Sequence, residues 1–323
     1  MTLFIYEHLT SGALSGEPYS ASLMHEGNAM LQAITTDLVA LGHNIALMRD
    51  VRLNNEFFNH SQLEQFIVHS PATYQAIWQQ AINTYQQFLI IAPETDGILA
   101  RLVETLEQQG KTVLGCDAAT TRLCSDKLAS YQHLQQHGFS SPATLLATDW
   151  LTLAHHPTAL WIIKPRDGAG CETTYLLDTN QVQAMLPQLI KQNEQALLVQ
   201  PYIKGQNLSL SLFIDDASVE LLSVNIQHIN VSQQQLSLIH CEPMRQDQLD
   251  ETEALELAQS IHATMPALWG FVGIDLIKTS DKIWVIEINP RLTSSYAETA
   301  MRQQQNPAYR LHQSLQHKLP KPL

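Results

Sequence analysis

Positive charge is scarce in this sequence. Eighteen lysines and arginines stand against 31 aspartates and glutamates, a formal net charge of −13. A nucleic-acid binder ordinarily presents a basic face, so this balance counts against that class; a nucleotide, which needs only a few local cations, is still allowed. Cysteine is also scarce. Cys116, Cys124, Cys171 and Cys241 form no Cys-x-x-Cys pair, so neither a disulfide framework nor a zinc-type cysteine site is expected, and a reducing compartment fits. No stretch approaches the ~18 uninterrupted apolar residues of a membrane span. The N-terminus, MTLFIYEHLT, lacks a basic segment followed by a long apolar run. No signal peptide is therefore expected, and the cytoplasm is the default location. Histidine is abundant, with 14 residues, but no His-Glu-x-x-His or similar ligand spacing occurs. These histidines, including His155-His156 beside Pro157, are read as incidental.

Two nucleotide-binding fingerprints are incomplete. Gly168-x-Gly170 has Thr173 where a third glycine belongs, and a strand rather than a helix is expected after it. A dinucleotide-dependent oxidoreductase is therefore disfavoured. Gly110-Lys111-Thr112 has Thr105 in place of the earlier glycine of a phosphate-binding loop, and a strand follows. It reads as an ordinary turn from helix to strand.

The 323 residues suggest two or three compact units in a packed protein. Residues 3–7, 44–48 and 112–114 read as strands, and the continuous apolar run 88–92 as a parallel-sheet strand. Helical spacing covers 22–41, 61–68, 74–87 and 96–109, so an open α/β unit is expected to end near Asp117. Ser125 is positioned to cap a helix over 126–137. Strands are expected at 161–164 and 173–177, then a helix at 180–193. A strand-rich stretch follows at 196–202, 208–214, 218–226 and 235–241, then a helix at 250–265. Strands at 271–278 and 282–289 close the pattern.

Four features could carry chemistry. On the last strand Glu287 and Asn289 lie two residues apart and so face one side. If that strand pairs with its predecessor, Asp275 comes within reach. Two carboxylates and a carboxamide are hard oxygen donors that suit Mg²⁺. Second, Lys164 ends an apolar strand, where a lysine is costly unless it meets an anion, and glycines just beyond it let backbone amides approach phosphate. Third, Ser125-Asp126-Lys127 marks a helix start. Fourth, the apolar strand that carries Gln200 runs through Tyr202, Ile203 and Gly205 to Asn207, as a hinge would.

In order and spacing these features resemble the ATP-grasp superfamily over about residues 118–300, and Glu287-Ile288-Asn289-Pro290-Arg291 is the most specific piece. The resemblance implies an ATP-grasp fold, α/β and α+β, with an N-terminal open parallel α/β domain over 1–117. A small subdomain with the glycine loop would cover 118–195, and a subdomain with the metal site 196–323. It implies ATP and Mg²⁺ (or Mn²⁺) as cofactors. Lys127 and Lys164 would contact phosphates, and Gly168 and Gly170 would belong to a closing glycine loop. Gln200, Tyr202 and Ile203 would read adenine, and Asn207 would take the ribose position. Asp275, Glu287 and Asn289 would bind metal, and Arg291, with Lys164, would be catalytic. Gln200 and Asn207 depart from the glutamates common at those positions, but both can still hydrogen-bond.

A narrower resemblance, to tyramine–L-glutamate ligases of C1-carrier biosynthesis, rests on four short segments. They are Phe4-Ile5-Tyr6-Glu7, the run from Leu23 to Leu31 that includes Glu26, Asn225-Ile226-Gln227, and Arg291-Leu292-Thr293-Ser294-Ser295-Tyr296. It implies a carboxylate–amine ligase acting on small molecules through an acyl phosphate. No nucleic-acid or membrane partner is expected, and a homodimer is the oligomer such ligases suggest. The rival readings are a D-alanine–D-alanine-ligase-like enzyme, a carboxylase component and a non-catalytic nucleotide sensor. A carboxylase would need a separate carrier, because no biotinyl Ala-Met-Lys-Met stretch is present.

Overall fold

The computed structural model describes residues 2–18, 21–53, 60–153, 159–168, 173–192, 196–244, 249–302 and 306–318. Gly170, Cys171 and the His155-His156-Pro157 stretch lie outside these residues.

The first sheet has five parallel strands, β1 Thr2–Glu7, β2 Asn44–Asp50, β3 Leu63–Val68, β4 Gln87–Ile91 and β5 Thr112–Val113, in the order β3-β2-β1-β4-β5. Helices α1 Ala21–Ala40, α2 Pro71–Thr84 and α3 Ile98–Gln108 connect them. Strand β1 shows why both faces are apolar. Leu3 and Ile5 pack on Leu31, Ile34 and Leu38 of α1. Phe4 and Tyr6 point the other way, onto Trp78 and Ile82 of α2 and Leu99 and Val103 of α3. Successive side chains alternate, so a strand buried on two sides is apolar at consecutive positions, here Leu3 to Tyr6.

The expected helix over 61–68 is instead the edge strand β3. Its period is ambiguous in sequence. Parallel pairing with β2, from Ile45↔Leu63 to Asp50↔Val68, supplies backbone hydrogen bonds that a single short helical turn could not match.

Two short helices follow, α4 Ala118–Ser125 and α5 Lys127–Gln136. The second sheet has nine strands in the order β14-β13-β10-β11-β12-β8-β7-β9-β6. Its first half runs β6 Leu145–Leu146, the single turn α6 Ala147–Trp150, β7 Leu160–Pro165, β8 Tyr175–Asp178, α7 Thr179–Gln192 and β9 Leu197–Pro201. Its second half runs β10 Gln206–Ile214, β11 Val219–Ser232, β12 Gln235–Pro243, α8 Glu251–Thr264, β13 Gly270–Lys278 and β14 Ile283–Asn289. Strand β9 pairs with β6 and β7. The halves meet at Gln235↔Tyr175, between β12 and β8.

Alternation along β10 sorts the two faces of the second half. Leu208, Leu210, Leu212 and Ile214 pack on Ala254, Ala258 and Ile261 of α8. Ser209 and Ser211 point to the opposite face, in register with Asp275 and Gly273. That face is the polar floor of the candidate site.

The last helices, α9 Ser295–Arg302 and α10 Tyr309–Lys318, return to the first unit. Leu311 and Leu315 share a core with Leu31 and Ile34, and Tyr296 Oη donates to Asp37 Oδ2 at 2.6 Å. Tyr296 is therefore a core residue that ties α9 to α1.

Two predictions follow from this packing. A Cβ on Gly205 would stand 2.5 Å from the carbonyl oxygen of Lys278, backbone that cannot step aside. Gly205→Ala should cost about 1–3 kcal/mol in urea unfolding. His8, hydrogen-bonded to Tyr6 Oη at 2.9 Å, has its pKa lowered by burial, with help from the Arg101 charge, from 6.5 to about 4. The unfolded chain therefore takes up this proton first. The contribution of His8 to stability is whole above 6.5 and is lost as pH falls toward 4. Urea midpoints measured from about pH 7 to about pH 4.5 should fall less steeply in His8→Gln than in the wild type.

Candidate active site

Asp126 organises the start of α5. Its Oδ1 accepts from the amides of Leu128 and Ala129 at 3.1 Å each. The Arg166 guanidinium forks onto the same carboxylate at 2.8 and 2.6 Å. The amide of Lys127 donates to Arg166 O at 3.0 Å. Asp126 is thus the cap, not Ser125. Ser125 ends α4, a helix not foreseen, and its Oγ donates to Thr121 O at 2.7 Å. The two caps are equivalent choices in sequence. Asp117, whose Oδ1 accepts from the Thr120 amide at 2.7 Å, starts the earlier helix and so moves the second boundary by one residue.

These contacts aim Lys127. The side chain is buried, and its Nζ donates to Gly168 O at 2.6 Å and meets Glu287 Oε1 at 3.0 Å. Gly168 holds φ +131°, a conformation open to glycine, and so presents that carbonyl. Lys164, also buried, sits on β7 opposite Leu198 of β9, two residues before the Arg166 that braces α5.

On the β13–β14 hairpin Asp275 lies directly opposite Glu287, and Gly273 opposite Asn289. Asn289 Nδ2 donates to Asp275 Oδ2 at 3.2 Å, and Gln227 Nε2 donates to Asp275 Oδ1 at 2.8 Å. Burial, then the neighbouring Glu287 charge, raises the Asp275 pKa to about 7. Glu287 is paired with Lys127, whereas Asp275 accepts from two carboxamides, and a small hard cation fits this set of two carboxylates and a carboxamide. Gln227 was not among the expected site residues. Strand register alone brings it to Asp275, and spacing in sequence carries no trace of that.

The hinge residues lie along β9 and just beyond. Gln200 is buried and its Nε2 donates to Thr144 Oγ1 at 2.7 Å. The Tyr202 amide donates to Leu160 O at 3.0 Å and so is engaged with the strand beside it. Ile203 follows in the connection to β10, and Asn207 pairs in register with Ile277 on the polar floor. That floor is closely bonded. Asn225 Nδ2 reaches Ser211 Oγ at 3.1 Å, Ser211 meets Ser295 Oγ at 2.8 Å, and Ser295 meets Thr293 Oγ1 at 2.9 Å. The Ser295 hydroxyl is therefore engaged with the sheet.

Arg291 leaves β14 and turns to the first unit. Its Nε and Nη2 donate to Glu94 Oε1 and Oε2 at 2.8 and 2.9 Å, and Nη1 donates to Leu292 O at 3.2 Å. Glu94 lies just past β4, and Glu7 ends β1. They flank the place where strand order reverses in the parallel sheet, the usual binding crevice of such sheets. Glu94 was missed; its position after the apolar run and Pro93 is the signal that could have found it. Glu7 is buried and accepts from the Thr10 amide at 2.7 Å and Thr10 Oγ1 at 2.6 Å, while Gly27 lets α1 pass close beside its carboxylate. Glu94, Asp126 and Arg166 also border a cavity of about 410 Å³.

The ATP-grasp domain model matches residues 124–295, and the pre ATP-grasp 3 domain model matches residues 43–120. The chain belongs to the ATP-grasp family. Tyramine–L-glutamate ligase from Methanocaldococcus jannaschii is 27% identical over 207 residues, 64% of this chain and 56% of that protein. The match thus spans little more than half the length of this curated relative. An ATP-grasp superfamily protein from Archaeoglobus fulgidus superposes with a TM-score of 0.67 at 24% identity, covering 93% of this chain and 84% of the other. L-amino acid ligase from Bacillus licheniformis does so with a TM-score of 0.62 at 15% identity, covering 92% and 68%. Both structural likenesses are of fold.

The Arg291–Glu94 pair is buried, with side chains 12% and 1% exposed. Glu94→Ala strands a buried guanidinium and should cost about 3–5 kcal/mol in urea unfolding. Combining Glu94→Gln with Arg291→Met removes both charges and should recover most of that loss.

Proposed function

We propose that the protein is an ATP-dependent carboxylate–amine ligase. It would join the carboxylate of glutamate to an aromatic amine or amino acid through an acyl phosphate. The observation that carries this reading is the 3.0 Å contact between Lys127 Nζ and Glu287 Oε1. It sets a cation suited to a phosphate beside a carboxylate suited to a metal, as an ATP–metal complex requires. Family membership and the likeness to tyramine–L-glutamate ligase support it further.

In this reading Lys127 and Lys164 offset phosphate charge, and Gly168, with Gly170 two positions on in sequence, would belong to a glycine loop that covers the phosphates. Gln200, with the backbone of Tyr202 and Ile203, receives adenine, and Asn207 receives ribose. Asp275, Glu287 and Asn289 would hold Mg²⁺ or Mn²⁺, whose bound charge would help neutralise the triphosphate. The donor carboxylate attacks the γ-phosphorus, ADP leaves, and an acyl phosphate forms. Such transfer depends mainly on positioning and fixed charge. Arg291, held by Glu94, steadies the acyl phosphate. The neutral amine attacks the carbonyl carbon, inorganic phosphate departs, and the nitrogen gives up a proton to the departing phosphate as the amide forms. The acyl phosphate survives only if water is kept out, which the covering loop would accomplish.

Phosphate release measured over pairs of amino acids and amines tests the proposal. L-glutamate with tyramine should give phosphate and amide in equal amounts, and Lys164→Met should lower kcat roughly a hundredfold or more. A signal only with other amino-acid pairs would transfer the reading to a dipeptide-type ligase. ATP binding without turnover on any pair would overturn it in favour of a nucleotide sensor.

A further inference from the structure

On the face of the second sheet opposite the polar floor, a cluster of nitrogen and oxygen donors has no part in the reaction above. Gln227 and Cys241 are register partners whose side chains turn to the floor, where Gln227 meets Asp275 and Cys241 Sγ lies 3.6 Å from Ser209 Oγ. The next residue on β11, His228, therefore points to the other face. There it pairs directly across with His240 of β12, and Glu242 follows His240 by two residues on the same side. The two imidazoles stack with centroids 4.1 Å apart and planes 12° from parallel. His228 Nε2 lies 3.0 Å from Glu242 Oε1, and one ligand atom from each of the three residues lies within 4.8 Å of the others.

We propose that His228, His240 and Glu242 bind one transition-metal ion of the zinc class, with an outer position left for water. Bonds of ~2.0–2.2 Å in a tetrahedral site set ligand atoms roughly 3.4 Å apart. The His228–Glu242 separation already lies near that spacing, and binding requires the stacked rings of His228 and His240 to rotate so that their nitrogen lone pairs converge on the ion. Two imidazoles and one carboxylate suit Zn²⁺, Ni²⁺ or Cu²⁺, whereas the all-oxygen set of Asp275, Glu287 and Asn289 suits Mg²⁺. The side chains of His228 and Glu242 are 42% and 41% exposed, which leaves the outer position open to solvent. All three ligands ride on paired strands rather than a loop, so their spacing is set by sheet geometry. The ion would pin the β11–β12 ribbon, whose far end pairs with β8 through Gln235 and Tyr175 and so joins the two halves of the sheet.

The test is Zn²⁺ titration of the full chain by calorimetry in excess Mg²⁺, which keeps the oxygen set filled. One equivalent should bind at micromolar protein. His240→Gln and His228→Gln should each weaken binding ~10-fold or more, since loss of even an outer partner of a metal ligand costs that much. Both should keep wild-type ATP affinity and metal-free unfolding midpoints. His133→Gln, in another close histidine pair (4.3 Å between centroids to His137, planes 33° apart), should bind as the wild type does. Co²⁺ bound to the wild type should show the intense visible absorption of a tetrahedral site. Absence of micromolar Zn²⁺ binding, or unchanged binding in both variants at His228 and His240, would overturn the proposal.

Discussion

The Lys127 ammonium is buried and must be neutralised where it lies. Its two partners, the Gly168 carbonyl and the Glu287 carboxylate, come from the turn after β7 and from β14. A buried charge without partners is among the costliest features a fold can carry, so these contacts set the relative placement of three distant segments. Asp126 and Arg166 brace the same junction from outside. The arrangement leaves Asp275 short of cationic neighbours, with a carboxyl that burial and Glu287 push up to about 7. Excess negative charge on one side and lysine on the other is the local order that a metal–triphosphate unit would complete.

The second constraint is between units. Arg291 forks onto Glu94, and Tyr296 and Leu311 carry the end of the chain back into the core around α1. The C-terminal helices are therefore built into the first unit, and Arg291, two residues past β14, pairs with Glu94 beside the switch point of the parallel sheet.

Much of this architecture is legible in the sequence because it follows from alternation and spacing. Positions 3–6 and 88–92 are buried on both faces and are apolar throughout, and the two-residue interval from Glu287 to Asn289 had to place both on one face. Strand β3 is not legible, since its six residues satisfy either period and only β2 decides between them. Nor are Gln227 beside Asp275, Glu94 beneath Arg291, or the trio of His228, His240 and Glu242. Each depends on register between strands or on a long-range ion pair, and sequence distance holds no record of either. The fourteen histidines lack ligand spacing along the chain; across a hairpin, spacing along the chain is the wrong coordinate.

The central claim is that a carboxylate is activated by phosphoryl transfer at the junction of Lys127, Lys164 and Asp275. The most direct measurement supplies L-glutamate with isotopically heavy oxygen in its carboxylates, together with ATP, Mg²⁺ and tyramine, and weighs the inorganic phosphate formed. Activation as an acyl phosphate must carry one heavy oxygen from the donor into each phosphate released. Phosphate with only its ordinary oxygens, produced alongside amide, would contradict the account.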